Sequence, residues 1–252
     1  MTPDPLFDFS GKIVLVTGGS RGLGYQMVKA FAERGADVII ASRKLENCET
    51  VAEEVRALGR RALAIGAHAG RWADCDALVA RAYAEFGRVD ILINNAGMSP
   101  PCPSHEVSES LFDSVLNLNF KGPFRLASQI GHRMASDEFG AHGGCIINIS
   151  STGALMAIPG IVPYGAAKAA LNAMTVSLSR EYAPKVRVNT ISAGPFLTDI
   201  AEAWAPAKRE KQPVAIGRPG KPEEIVTAAL MLASPASSFT TGALLRVDGG
   251  QR

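Results

Sequence analysis

Residues 13–16 are all apolar, and Thr17-Gly18-Gly19-Ser20-Arg21-Gly22-Leu23-Gly24 follows them at once. The pattern predicts a strand over residues 12–17, buried on both faces, and then a turn tight enough to need glycine. A helix follows over residues 22–34, stopped by Gly35. Gly18 allows the turn, Gly22 lets backbone come close to a pyrophosphate, and Gly24 lets the helix pack against the sheet. The positive helix N-terminus would face the phosphates.

The same alternation continues along the chain. Strands are predicted over residues 37–42, 61–65, 89–94, 145–149, 186–191 and 243–247, and helices over residues 45–58, 72–86, 108–134, 162–182 and 223–233. Ser108 can cap its helix, with Leu111, Phe112, Val115, Leu116 and Leu118 turned inward. Strands alternating with helices imply one α/β domain over residues 1–252: a doubly wound, seven-stranded, mostly parallel sheet with helices on both faces. Residues 1–10 hold two prolines and read as a loose arm, and residues 195–218 as a lid on the substrate side.

Composition narrows the function. A net charge of +2 calls for no nucleic-acid or membrane face, and no apolar run reaches the ~20 residues that span a bilayer. Cys48, Cys75, Cys102 and Cys145 are scattered and read as reduced thiols of a cytoplasmic protein. His68, His105, His132 and His142 lack ligand spacing, so no metal is expected.

Three further stretches carry chemistry. Tyr164 and Lys168 are four apart on a predicted helix and share a face, so the ammonium should draw the proton-transfer range of Tyr164 toward neutrality. That makes Tyr164 a candidate general acid-base. Ser150-Ser151 closes one apolar run and Asn94-Asn95-Ala96-Gly97 another, both where open α/β sheets bind ligands.

With these motifs in this order, the chain resembles the short-chain dehydrogenase/reductase family, oxidoreductases that use NAD(P) on a Rossmann domain. The resemblance implies hydride transfer between the nicotinamide and a carbonyl or secondary alcohol, as in a reductase of 3-oxoacyl thioesters or other ketones. It assigns the catalytic roles to Asn119, Ser151, Tyr164 and Lys168, with Asn117 the rival of Asn119 and Ser150 of Ser151. Asn119 would hold a water beside Lys168 through its carbonyl. The cofactor would rest on Gly18, Ser20, Arg21, Gly22, Leu23, Gly24, Asn95, Ala96, Gly97, Tyr164, Lys168 and Gly194, with Phe196 and Thr198 at the carboxamide. A homotetramer or homodimer is implied, its helices around 108–134 and 162–182 pairing across a two-fold axis. The chain departs from the family pattern at His68, which stands where many members carry Asp beside the adenine and would meet the adenine through a ring nitrogen or simply line its pocket, and at Ala193-Gly194, where Pro-Gly is usual.

Cofactor choice is read at the end of the second strand. Ser42 stands where an acid would bind the ribose hydroxyls, and Arg43 and Arg21 offer guanidinium groups to a 2′-phosphate, so NADP(H) is expected over NAD(H). The competing functions are an NAD-dependent alcohol dehydrogenase of the same family and a non-catalytic NADP(H) sensor. A sensor would have no need of the four catalytic residues.

Overall fold

The computed structural model describes residues 4–136, 143–199, 201 and 204–251. His142, residues 1–3 of the expected arm and residues 200, 202 and 203 of the expected lid lie outside the described residues. The described residues form seven strands: β1 Ile13–Thr17, β2 Asp37–Ser42, β3 Ala62–Gly66, β4 Ile91–Asn94, β5 Gly144–Ser151, β6 Val186–Ala193 and β7 Leu244–Val247. They form one sheet in the order β3-β2-β1-β4-β5-β6-β7. Every pairing is parallel, so the sheet is wholly rather than mostly parallel. The crossovers carry α1 Gly22–Ala32, α2 Leu45–Ala57, α3 Trp72–Phe86, α4 Glu109–Leu116, α5 Gly122–Ala135, α6 Val162–Glu181, α7 Pro206–Glu210 and α8 Val226–Ala233.

The pleat sends alternate residues of each strand to opposite faces, which is why an unbroken apolar run serves a sheet covered on both sides. Val14, Val16, Val38 and Ile40 pack beneath α1, α2 and α8, in the company of Phe31, Val51 and Ala229. Ile13, Leu15, Ile39 and Ala41 face the other way, with Leu78 of α3, Ile130 of α5 and Leu171 of α6. The strand order turns back between β1 and β4, and their carboxyl ends open the crevice where such sheets hold ligands.

Three expectations need correcting. Residues 4–10 of the arm are held in place: Phe9 is fully buried edge-on to Phe31 at 4.8 Å, and the Ser234 hydroxyl donates to the Leu6 carbonyl at 2.6 Å. The helix over 108–134 is capped by Ser108 as expected but is not continuous. A π-helical turn, Asn117–Lys121, separates α4 from α5. Phe112 is turned outward, with 47% of its surface exposed, while Val115 and Leu118 are buried.

No helix among the described residues is long and apolar enough to cross a membrane, and no three His, Cys, Asp or Glu side chains there gather as a metal site would need.

Candidate active site

The glycine turn has the strained backbone that its composition requires. Gly18 and Gly22 have φ of 64° and 54°, values an L side chain rarely adopts. Gly24 acts differently from the expectation. A Cβ there would lie 2.1 Å from the Gly18 carbonyl oxygen, so Gly24 lets α1 close onto the turn itself rather than onto the sheet. The turn is braced from β4. The Asn95 amide donates to the carbonyls of Thr17 and Gly18 at 3.0 and 3.2 Å, and the Thr17 hydroxyl accepts the N–H groups of Asn95 and Ala96. Among the described residues no side chain caps the N-terminus of α1, so its first N–H groups suit a phosphate. A crowded glycine turn and an uncapped helix fit the pyrophosphate of a dinucleotide.

At the end of β2 the Ser20 hydroxyl donates to that of Ser42 at 3.0 Å, and Arg43 is exposed beside it. Arg21 is turned to another partner, an ion pair with Asp199 at 2.5 Å. A cleft of about 300 Å³ next to the turn is lined by Ser20, Arg21, Tyr25, Asn47 and Glu54. His68 lies just beyond β3, half-buried. Its backbone N–H donates to Asp74, and its Nδ1 accepts the Gly70 N–H at 3.1 Å, which leaves Nε2 to carry the proton of the neutral ring.

The four expected catalytic residues converge on the carboxyl ends of β4 and β5. Lys168 is buried and donates to the Ile149 carbonyl at 2.8 Å, with its Nζ 5.8 Å from the centre of the Tyr164 ring. Asn119 Oδ1 and Lys168 Nζ both approach Gly97, lying 2.8 and 3.6 Å from where a Cβ would stand. Asn119 is fully buried, its amide donating to the carbonyls of Met98 and Val115. The Asn117 carbonyl instead accepts the Gly122 N–H within the π turn. Pro123, four residues after Asn119, has no N–H and leaves the Asn119 carbonyl without the donor a regular helix would supply. The spacing of Pro123 from Asn119 is visible in the sequence itself.

Burial sets the protonation of this group. It pushes the Tyr164 phenol up from its ordinary value, offset in part by a hydrogen bond with Ser151. It pulls Lys168 down to about 7. The expected lowering of Tyr164 by Lys168 is therefore not what this arrangement shows: desolvation raises the phenol, and the opposing pull comes from Ser151. Ser150 is buried, its hydroxyl turned to the Lys168 carbonyl at 3.3 Å, while the part-exposed Ser151 meets Tyr164 and also accepts the Gly153 N–H at 3.1 Å.

Beyond β6, Gly194 donates to the Val247 carbonyl at 3.0 Å and presses on Asp248, where a Cβ would come within 2.5 Å of Cα. Phe196 is buried against Gly220 at the edge of the apolar core, and it also lines a small cavity with Gly194, Pro195, Ile216 and Val247. The methyl of Thr198 stands over the glycine turn, 3.3 Å from where a Cβ of Gly22 would be.

A buried polar chain beneath the site was not anticipated. Asn94 donates to Asn148 at 2.9 Å, and Asn148 and Thr190 both donate to the Thr175 hydroxyl at 2.9 and 2.8 Å. Thr175 sends its own proton to the Leu171 carbonyl at 2.9 Å. The chain fastens α6, which carries Tyr164 and Lys168, to β4, β5 and β6.

The family described as short chain dehydrogenase matches residues 12–209. The chain is 38% identical over 249 residues to an uncharacterized oxidoreductase of Mycobacterium tuberculosis, covering 97% of this chain and 94% of that one. It is 35% identical over 251 residues to an NAD-dependent glycerol dehydrogenase of Listeria innocua, covering 98% and 96%. The solved structure of a blue fluorescent protein from a metagenomic library, in complex with NADPH, superposes with a TM-score of 0.88 at 32% identity, covering 96% of this chain and 98% of that one.

Proposed function

Because the chain belongs to the short chain dehydrogenase family and is an oxidoreductase of it, we propose that it transfers a hydride between NADP(H) and a ketone or secondary alcohol, with Tyr164 as acid-base. The observation that carries this reading is the meeting of Asn119, Ser151, Tyr164 and Lys168 around Gly97 and the end of β5. The nicotinamide supplies the hydride, and the protein supplies placement and a proton. Gly18, Ser20, Gly22, Leu23 and Gly24 would hold the pyrophosphate, Asn95, Ala96 and Gly97 the adenosine side, and Gly194, Phe196 and Thr198 the carboxamide through backbone and hydroxyl.

In reduction, the Ser151 hydroxyl donates to the carbonyl oxygen and Tyr164 protonates it as negative charge develops there. Burial keeps the phenol protonated at neutral pH, which suits a donor. In oxidation Tyr164 must lose that proton, and a protonated Lys168 favours the phenolate. The Asn119 carbonyl, which Pro123 deprives of its i+4 donor, would hold a water leading back to Lys168 and solvent. Met98, Pro100, Trp204 and Pro206 give the substrate side a partly apolar character, which fits a 3-oxoacyl thioester or another ketone.

NADP(H) rests on Ser42, where no carboxylate would repel a 2′-phosphate, and on Arg43 and Arg21. One observation favours NAD(H) instead: Arg21 is engaged by Asp199. Comparing kcat/KM for NADPH and NADH in one buffer, on a ketone found by screening, decides between them. Ser42→Asp with Arg43→Ala should reverse a preference of about tenfold or more for NADPH. A native preference for NADH would overturn the NADP reading.

The exposed Trp72, Phe112 and Phe124 on α3, α4 and α5 support assembly into a homodimer or homotetramer through that side, and light scattering tests it. The buried Cys48, Cys75 and Cys145 suit a cytoplasmic setting, where thiols stay reduced.

A further inference from the structure

Arg21 is the cation of the glycine turn, and the structure gives it to a carboxylate 178 positions along the chain. Its Nη1 meets Asp199 Oδ2 at 2.5 Å. Both side chains are part-exposed, at 61% and 43%, and it is their backbones that are held. Arg21 is fixed as the residue before α1, in extended backbone, and its carbonyl accepts the Tyr25 N–H at 3.1 Å. Asp199 is fixed by its neighbours: Thr198 packs over Gly22, and the Thr198 carbonyl accepts the N–H of the buried Ala201 at 2.7 Å. Glu54, the carboxylate of the adjoining cleft, is occupied by the Tyr25 hydroxyl at 2.7 Å.

Resting on the NADP(H) reading above, we propose that Asp199 is a specificity-determining residue that competes with the 2′-phosphate for Arg21. A guanidinium can serve a phosphate at the end of β2 or the carboxylate at the head of the substrate-side segment, and the geometry in hand commits it to the second. With NAD(H) the Arg21–Asp199 pair stays closed. With NADP(H) the phosphate, carrying more charge and more acceptor oxygens, takes Arg21, and Asp199 is released. The carboxylate therefore lowers affinity for the phosphorylated cofactor alone, and narrows the preference between the two.

The test is a double-mutant cycle on the full chain, with NADPH and NADH dissociation constants read from nucleotide fluorescence for wild type, Arg21→Ala, Asp199→Asn and the double variant. Asp199→Asn should tighten NADPH binding about threefold to fivefold and leave NADH unchanged. In the Arg21→Ala background the same change should do nothing. Equal tightening in both backgrounds would mean plain repulsion by Asp199 and overturn the competition. No effect of Asp199→Asn, while Arg21→Ala weakens NADPH, would also overturn it and leave the NADP(H) reading standing. Full NADPH affinity in Arg21→Ala would remove Arg21 from phosphate binding, and the competition with it.

Discussion

Replacing Lys168 by methionine should make the protein more stable in weak acid while destroying its turnover. Burial lowers this lysine from 10.5 to about 7. The unfolded chain therefore binds a proton that the folded chain refuses between those two values. Stability contributed at this site rises with pH through that window, and below it the full penalty is in force. At ~1.4 kcal/mol per unit, the penalty is about 5 kcal/mol at pH 6 and about 2 kcal/mol at pH 9. Methionine removes it, but orphans the Ile149 carbonyl that accepts the lysine's hydrogen bond at 2.8 Å, at a cost of about 1–3 kcal/mol. The variant should thus gain about 2–4 kcal/mol at pH 6 and almost nothing at pH 9. Urea denaturation of both proteins, without nucleotide and at one protein concentration, reads the difference. The hydrogen-bond loss is the same at both pH values, so the change of about 3 kcal/mol between them belongs to the titration alone. A gap between variant and wild type that does not shrink from pH 6 to pH 9 would refute the reasoning.

Tyr164→Phe should abolish turnover with nucleotide affinity retained, since only the transferable proton is lost; wild-type kcat on a screened ketone would remove Tyr164 from its role. Gly24→Ala forces a methyl to within 2.1 Å of the Gly18 carbonyl, so the turn must open, and titration calorimetry should find nucleotide binding at least tenfold weaker. Thr175→Val strands two buried donors, Asn148 and Thr190, at about 1–3 kcal/mol each. Its melting temperature should fall by roughly 5–20 °C, while Thr175→Ser stays close to wild type.

Much of this was legible in the sequence because a parallel sheet buries its strands on both faces. Runs such as 37–42 and 186–191 cannot be anything else, and the structure moves their ends by two residues at most. The meeting of Tyr164 with Ser151 followed from spacing and family pattern. What was missed depends on partners far along the chain. Phe9 looks loose until Phe31 is placed against it, and Arg21 looks free until Asp199 arrives. The protonation of Tyr164 was misjudged for a related reason: spacing reveals a neighbouring charge, but desolvation is a property of the packed whole.

The π turn at Asn117–Lys121 also bears on how freely this chain can vary. An α-helix advances about 100° per residue, so the turn's one extra residue resets the rotational phase of everything after it. Leu126, Ala127, Ile130 and Met134 of α5 are all fully buried in that shifted phase. Deleting one residue from the turn would restore a smooth helix and swing this whole stripe off the core by about a quarter of a revolution. The turn therefore cannot be shortened without rebuilding α5, and the irregularity around Asn119 is held in place by the buried Leu126, Ala127, Ile130 and Met134 further along the helix.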